Sequence, residues 1–177
     1  MSPEATILPA MSRSLLADAF GHHVWASLRL IDTCLALTPE QLDAPVPGTY
    51  GSILETMRHF VGGDSYYLSH LTGDPEIDSE QMDLPELRVA MEADEQTWIE
   101  LLAKDLDPDA VVKDVDEEGY QRDATIGIRL AQALHHGTDH RSQICTALTT
   151  LGVEPPGIDV WDFGAQTGRV IDIPPAS

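Results

Sequence analysis

Seven histidines are spread through this 177-residue chain, as His22-His23, His59, His70, His135-His136 and His140. A neutral imidazole offers a lone pair to zinc, nickel or copper without burying a charge, so clustered histidines point to transition-metal chemistry. The strongest local arrangement is His136-Gly-Thr-Asp-His140. Residues four apart share one helix face, so both rings can converge on a single ion. Ala133, Gly137, Ile144 and Ala147 fall on the same face, which small and apolar neighbours turn towards a protein interior. Without a third ligand the same pair reads as hydrogen-bonded core or surface groups. Gly137 stands where the zinc-protease motif places its glutamate, so that motif's general base is missing.

The third ligand must come from another helix, and His59 is the best candidate. Thr56, Gly63 and Tyr66 share its face and leave room beside the ring. His22 or His23 is next in line. His70 lies 11 residues beyond His59, roughly 16 Å along a helix axis, so the two cannot hold one ion. His135 points about 100° away from His136, as a supporting or surface group. The tandem His22-His23 and the lone His70 read as structural or exposed.

These side chains need long helices to present them, and the apolar spacing supplies four. From about Ser12 to Leu37, Leu16, Phe20, Val24, Leu28, Ile31 and Leu35 recur every three or four residues. A second segment opens on Ser52-Ile-Leu-Glu55, a capping box, and runs to about Leu71. A third spans about Leu84 to Leu106, and a fourth about Thr125 to Leu151, with Gly152-Val153 suited to a Schellman stop. Pro39, Pro45-Val-Pro-Gly48, Gly73-Asp-Pro75 and Pro155-Pro-Gly157 punctuate the intervals. Ala110 to Val115 could be extended, but no sheet can be assembled from it alone. The expectation is one all-α domain over residues 1–177, a four-helix bundle with a short C-terminal extension. In that extension Ile158, Trp161 and Phe163 should pack back on the bundle. The connection from third to fourth helix, about 18 residues, is long for an up-down arrangement.

Composition narrows the partners. Hydrophobic residues make up 42% and charged residues 23%, an ordinary globular mix. Thirty acids against ten bases give a net charge of -20, and 18 of the acids fall between Asp74 and Asp123. Nucleic acids and anionic membranes select basic surfaces, so neither is an expected partner. The opening Met1-Ser2-Pro3-Glu4 lacks the features of a signal peptide, and no apolar run approaches the roughly 20 residues of a membrane span. A cytoplasmic protein is expected. Cys34 and Cys145, isolated in helical patterns, should then be reduced and buried rather than catalytic.

The two histidine strings also carry a family resemblance. Ser52-Ile-Leu-Glu-Thr-Met-Arg-His59 resembles the second-helix motif of the DinB-like (DinB/YfiT) metalloenzymes, and His136-Gly-Thr-Asp-His-Arg-Ser-Gln143 resembles their fourth-helix motif. Trp25, Gly73-Asp74-Pro75, Gly152-Val-Glu-Pro-Pro-Gly157 and Trp161 match in the same order. The resemblance covers nearly the whole chain. It implies a four-helix bundle with one divalent metal ion, commonly nickel or zinc, held by His59, His136 and His140. It also implies a homodimer, and it brings thiol-dependent S-transferases and a thiol-dependent isomerase among the relatives.

Three neutral imidazoles leave a coordination position open for water or substrate, the mark of a catalytic rather than a structural site. Two enzyme readings follow, hydrolysis by activated water and transfer of a low-molecular-weight thiol to an electrophile. Hydrolysis wants a carboxylate beside the water. Asp139 lies about 100° off the face of His140, and Glu55 is occupied by its capping box. Thiol transfer asks less of the protein, because coordination ionises the thiol. A non-catalytic metal-binding stress-response module is the third reading. No catalytic side chain is assigned.

Overall fold

The computed structural model describes residues 15–115, 118–171 and 173. The chain runs α1 (Leu15–Cys34), α2 (Pro39–Leu42), α3 (Ile53–Thr72), α4 (Leu84–Leu102), β1 (Val111–Val115), β2 (Gln121–Thr125), α5 (Ile126–Thr150) and α6 (Val160–Gln166). The four long helices lie where the apolar spacing places them. The expected start of the first, at Ser12, falls outside the described residues.

Capping chemistry fixes their starts. At Ser52 the hydroxyl accepts from Glu55 N–H while the Glu55 carboxylate accepts from Ser52 N–H, the reciprocal box read from the sequence. Asp83 and Glu86 make the same pair ahead of α4, and Thr38 and Gln41 ahead of the one-turn α2. The Schellman stop of α5 is present with both of its bonds, Gly152 N–H to Thr149 C=O and Val153 N–H to Leu148 C=O.

The apolar stripes then meet. Helix α1 packs on α4, α3 packs on both α4 and α5, and α1 also touches α5. Phe20, Leu30 and Ile31 of α1, Met57 and Phe60 of α3, Leu87, Met91 and Trp98 of α4, and Ile144 and Leu148 of α5 are almost wholly removed from solvent. No helix among the described residues is long and apolar enough to cross a membrane.

Two sequence expectations need correction. The connection after α4 is not plain coil: β1 pairs antiparallel with β2, from Val111 opposite Thr125 to Val115 opposite Gln121. Strand β2 reads Gln-Arg-Asp-Ala-Thr and is largely exposed, so it carries no apolar alternation that could have signalled it. The third helix also stops at Leu102, one turn before the expected Leu106. In the C-terminal segment Phe163 does pack back, with its ring against Gly21 of α1. Ile158 is half-buried, and Trp161 stays 74% exposed.

Candidate metal centre

Helix α3 presents His59 from its second turn, and α5 presents His136 and His140 from adjacent turns of the face it packs against α3. One ring nitrogen from each of the three lies within 4.8 Å of the others. His59 Nε2 and His136 Nε2 face one another at 3.1 Å. Two nitrogens held about 2.05 Å from a tetrahedral zinc-type ion sit about 3.3 Å apart. One pair is therefore already at ligand spacing, and the third nitrogen lies within 4.8 Å of both. Two imidazole nitrogens facing at this distance need a proton or a cation between them. The donor set thus fits a divalent ion of the zinc or nickel type.

Close approach of α3 and α5 makes this possible. A Cβ added at Gly63 would lie 2.4 Å from His136 Cε1, so the imidazole rests directly on the α3 backbone. His140 is buried, whereas His59 and His136 are half-buried. Burial, followed by the neighbouring His140 and His59 rings, pushes His136 down to about 4. Burial and then His140 lower His59 as well. Both rings are consequently neutral near pH 7, with lone pairs available to an ion.

His59 and His136 line a cleft of about 1080 Å³, with His140 buried behind them. Tyr50, Tyr66 and Tyr67 supply its aromatic wall, and the 76–81 loop the wall opposite. Tyr50 stacks on His59, with ring centroids 4.0 Å apart and planes 11° off parallel. Tyr67 meets His136 edge-on at 5.7 Å. Glu55, Glu76, Asp78 and Glu80 line the cleft against a single cation, Arg58. Glu55 stays in its capping box, and Asp139 is exposed.

The other histidines are engaged elsewhere. His70 faces the Tyr66 carbonyl through Nδ1 at 2.9 Å and the Asp114 carboxylate of β1 through Nε2 at 3.0 Å. Both ring nitrogens are thus taken up by partners in α3 and β1, away from the triad. The Tyr66 hydroxyl donates to the same carboxylate. His22 Nε2 donates to the Ile158 carbonyl at 2.8 Å, and His135 is exposed.

His23 belongs to a buried polar network that the sequence reading did not assemble. Arg141 Nη1 lies 3.0 Å from His23 Nδ1 and 3.2 Å from Ser27 Oγ. A guanidinium only donates, so His23 Nδ1 is the acceptor. Across the ring, His23 Nε2–H donates to Asp64 Oδ2 at 2.6 Å. Burial lowers Arg141 to about 10, which leaves it charged at neutral pH to offset Asp64. A Cβ at Gly137 would come within 2.3 Å of His23 Cε1, so this glycine admits the network beside the triad. The available signal was three ionisable residues, His23, Asp64 and Arg141, on otherwise apolar helix faces. Both cysteines are free. Burial, with Cys145 adding to it, pushes the Cys34 thiol up to about 12, and burial raises Cys145 too. Neither is a thiolate nucleophile at neutral pH.

The sequence profile of the DinB family matches residues 11–170. The chain belongs to the DinB family. The crystal structure of a DinB-like protein from Bacillus cereus ATCC 10987 is similar to this DinB-family chain, with a TM-score of 0.62 at 16% identity. The match covers 81% of this chain and 95% of the other. At that identity the likeness concerns the fold alone. No functionally curated protein matches the chain.

Proposed function

We propose that this DinB-family protein binds one divalent metal ion, zinc or nickel, through His59, His136 and His140, and transfers a low-molecular-weight thiol to a small electrophile. The convergence of three imidazole nitrogens, two of them from histidines that line an open cleft, carries the reading. A divalent ion at such a site supplies Lewis acidity and an open coordination position, enough to ionise a thiol at neutral pH. In the transfer, sulfur forms a bond to the electrophilic carbon, the leaving group departs with its electron pair, and the thiol proton passes to solvent.

The chain's own residues suit that chemistry better than hydrolysis. No carboxylate joins the triad among the described residues, and the cleft's Glu55 accepts the Ser52 N–H as a helix cap. Among the described residues, no carboxylate is thus grouped with the three imidazoles as a base for an attacking water. The tyrosines offer an apolar, π-rich wall to an organic substrate. Four acids around the rim disfavour anionic substrates relative to neutral or cationic ones. We also read the packing of the four long helices as a four-helix bundle forming a single domain. The protein is further inferred to be a cytoplasmic homodimer, without nucleic-acid or membrane partners.

Titrating 2-mercaptoethanol into the cobalt-loaded protein tests the function. Thiol transfer requires a new sulfur-to-cobalt absorption band, and consumption of the thiol with an alkyl or aryl chloride, with release of chloride, only when metal is present. Absence of the band, with ester cleavage that rises with pH, would replace this reading with the hydrolase one. Absence of both would leave a non-catalytic metal-binding module.

A further inference from the structure

We infer that Gln143 is the positioning residue of the centre, holding His140 in the tautomer that turns Nε2 towards the triad and tying the Tyr50 loop to the same atom. The inference deepens the metal-site reading above, and its main readout does not depend on metal binding.

The geometry allows only one assignment of protons. Gln143 Oε1 lies 2.9 Å from the backbone nitrogen of Tyr50 and 3.1 Å from His140 Nδ1. A backbone N–H can only donate, so the Gln143 atom facing it is the carbonyl oxygen and not the amide nitrogen. That oxygen has a second lone pair, and His140 Nδ1 can meet it only as N–H. The Nδ1–H tautomer leaves Nε2 unprotonated, which is the form a metal ligand requires. The proton position on His140 is thus set, through Gln143, by the peptide N–H of Tyr50, 93 residues before that glutamine in sequence.

The same oxygen orders the cover of the site. Thr49 Oγ1 donates within its own turn, to the carbonyls of Val46 and Gly51, both at 2.7 Å. This braces the loop, while the Gln143 contact is the hydrogen bond that fastens it to α5. With the Tyr50 N–H engaged, its ring lies flat on His59 and edge-on to His140 at 5.5 Å. Rotation of His59 and His140 is restricted together. Losing the oxygen releases the tautomer and the loop at once.

Long-range 15N–1H correlation spectra of the full-length, metal-free protein test the assignment directly. At a pH where His140 is neutral, the wild type should show the Nδ1–H tautomer. Gln143→Leu, similar in size but without an acceptor, should shift His140 towards the Nε2–H tautomer and weaken zinc binding 10–100-fold in a chelator competition. Gln143→Glu keeps an acceptor oxygen, and should preserve both the tautomer and near-wild-type affinity. An Nε2–H tautomer in the wild type would overturn the inference. So would wild-type zinc affinity in Gln143→Leu, or equal losses in the Leu and Glu variants. If the wild type binds no zinc, the metal reading fails, while the tautomer spectra still decide whether Gln143 sets His140.

Discussion

Asp94 of α4 is half-buried and close enough to Asp64 to feel its charge, and replacing it should stabilise the protein in a pH-dependent way. Burial, followed by the negative charge of Asp64, raises its carboxyl to about 7. Its Oδ2 and the Asp64 Oδ1 are both buried without a hydrogen-bond partner. Asp64 is the acid that faces it from α3, with His23 of α1 and Arg141 of α5 beyond, and those two are engaged with each other and with Asp64. A carboxyl raised in the folded state holds a proton that the unfolded chain has already lost above about pH 4. The folded protein therefore binds the extra proton between about pH 4 and 7, and stability falls as pH rises through that window. Above pH 7 the loss is complete.

At about 1.4 kcal/mol per pH unit, the fall between pH 5 and pH 7 amounts to about 3 kcal/mol. Asp94→Asn keeps the shape, cannot ionise, and brings an amide donor next to an acceptor that lacks one. Its advantage over wild type should be about 3 kcal/mol larger at pH 8 than at pH 5. For a chain of this size that corresponds to about 6–12 °C in Tm. Thermal or urea unfolding of the metal-free protein at the two pH values measures it, and intrinsic effects of the substitution cancel in the difference. An equal advantage at both pH values would refute the argument, because it would mean that Asp94 is ionised in the folded state throughout.

Two further predictions concern the site. His59→Ala, His136→Ala and His140→Ala should each lose most metal binding by elemental analysis, while His70→Ala retains full stoichiometry; an intact stoichiometry in His59→Ala would show that the third ligand lies elsewhere. Gly63→Ala places a methyl carbon 2.4 Å from His136 Cε1, about 1 Å inside ordinary contact, so it should weaken zinc binding at least ~10-fold with little change in helicity. Unchanged affinity would mean that the imidazole does not rest on the α3 backbone.

Helices and candidate ligands were legible in the sequence for the same reason: both are set by spacing along one chain segment. Leu28, Ile31 and Leu35, or His136 and His140, declare a shared face through the helical repeat alone. Features that depend on two distant segments were not legible. Strand β2 exists because β1 pairs with it, not because Gln121-Arg-Asp-Ala-Thr125 prefers extension. Tyr50 has no local signal, since its position over His59 depends on an amide 93 residues away. His23 read as structural or exposed, and the partners that engage it, Asp64 and Arg141, lie on two other helices.

That last group explains how α5 can present its ligands in one register. Its apolar contacts through Ala133, Ile144, Ala147 and Leu148 are non-directional, and a helix could slide against them at modest cost. Arg141 cannot slide. It is 4% exposed, and only one placement gives its Nη1 both His23 Nδ1 and Ser27 Oγ, while Asp64 across the ring offsets its charge. A one-turn shift would strand a buried guanidinium and a buried carboxylate, each losing several kcal/mol of compensation. Arg141 is the residue after His140 and lies about 100° from it, so the contact that locks α5 to α1 also aims His140 at α3. A network that adds little net stability can in this way hold three imidazoles within reach of one ion.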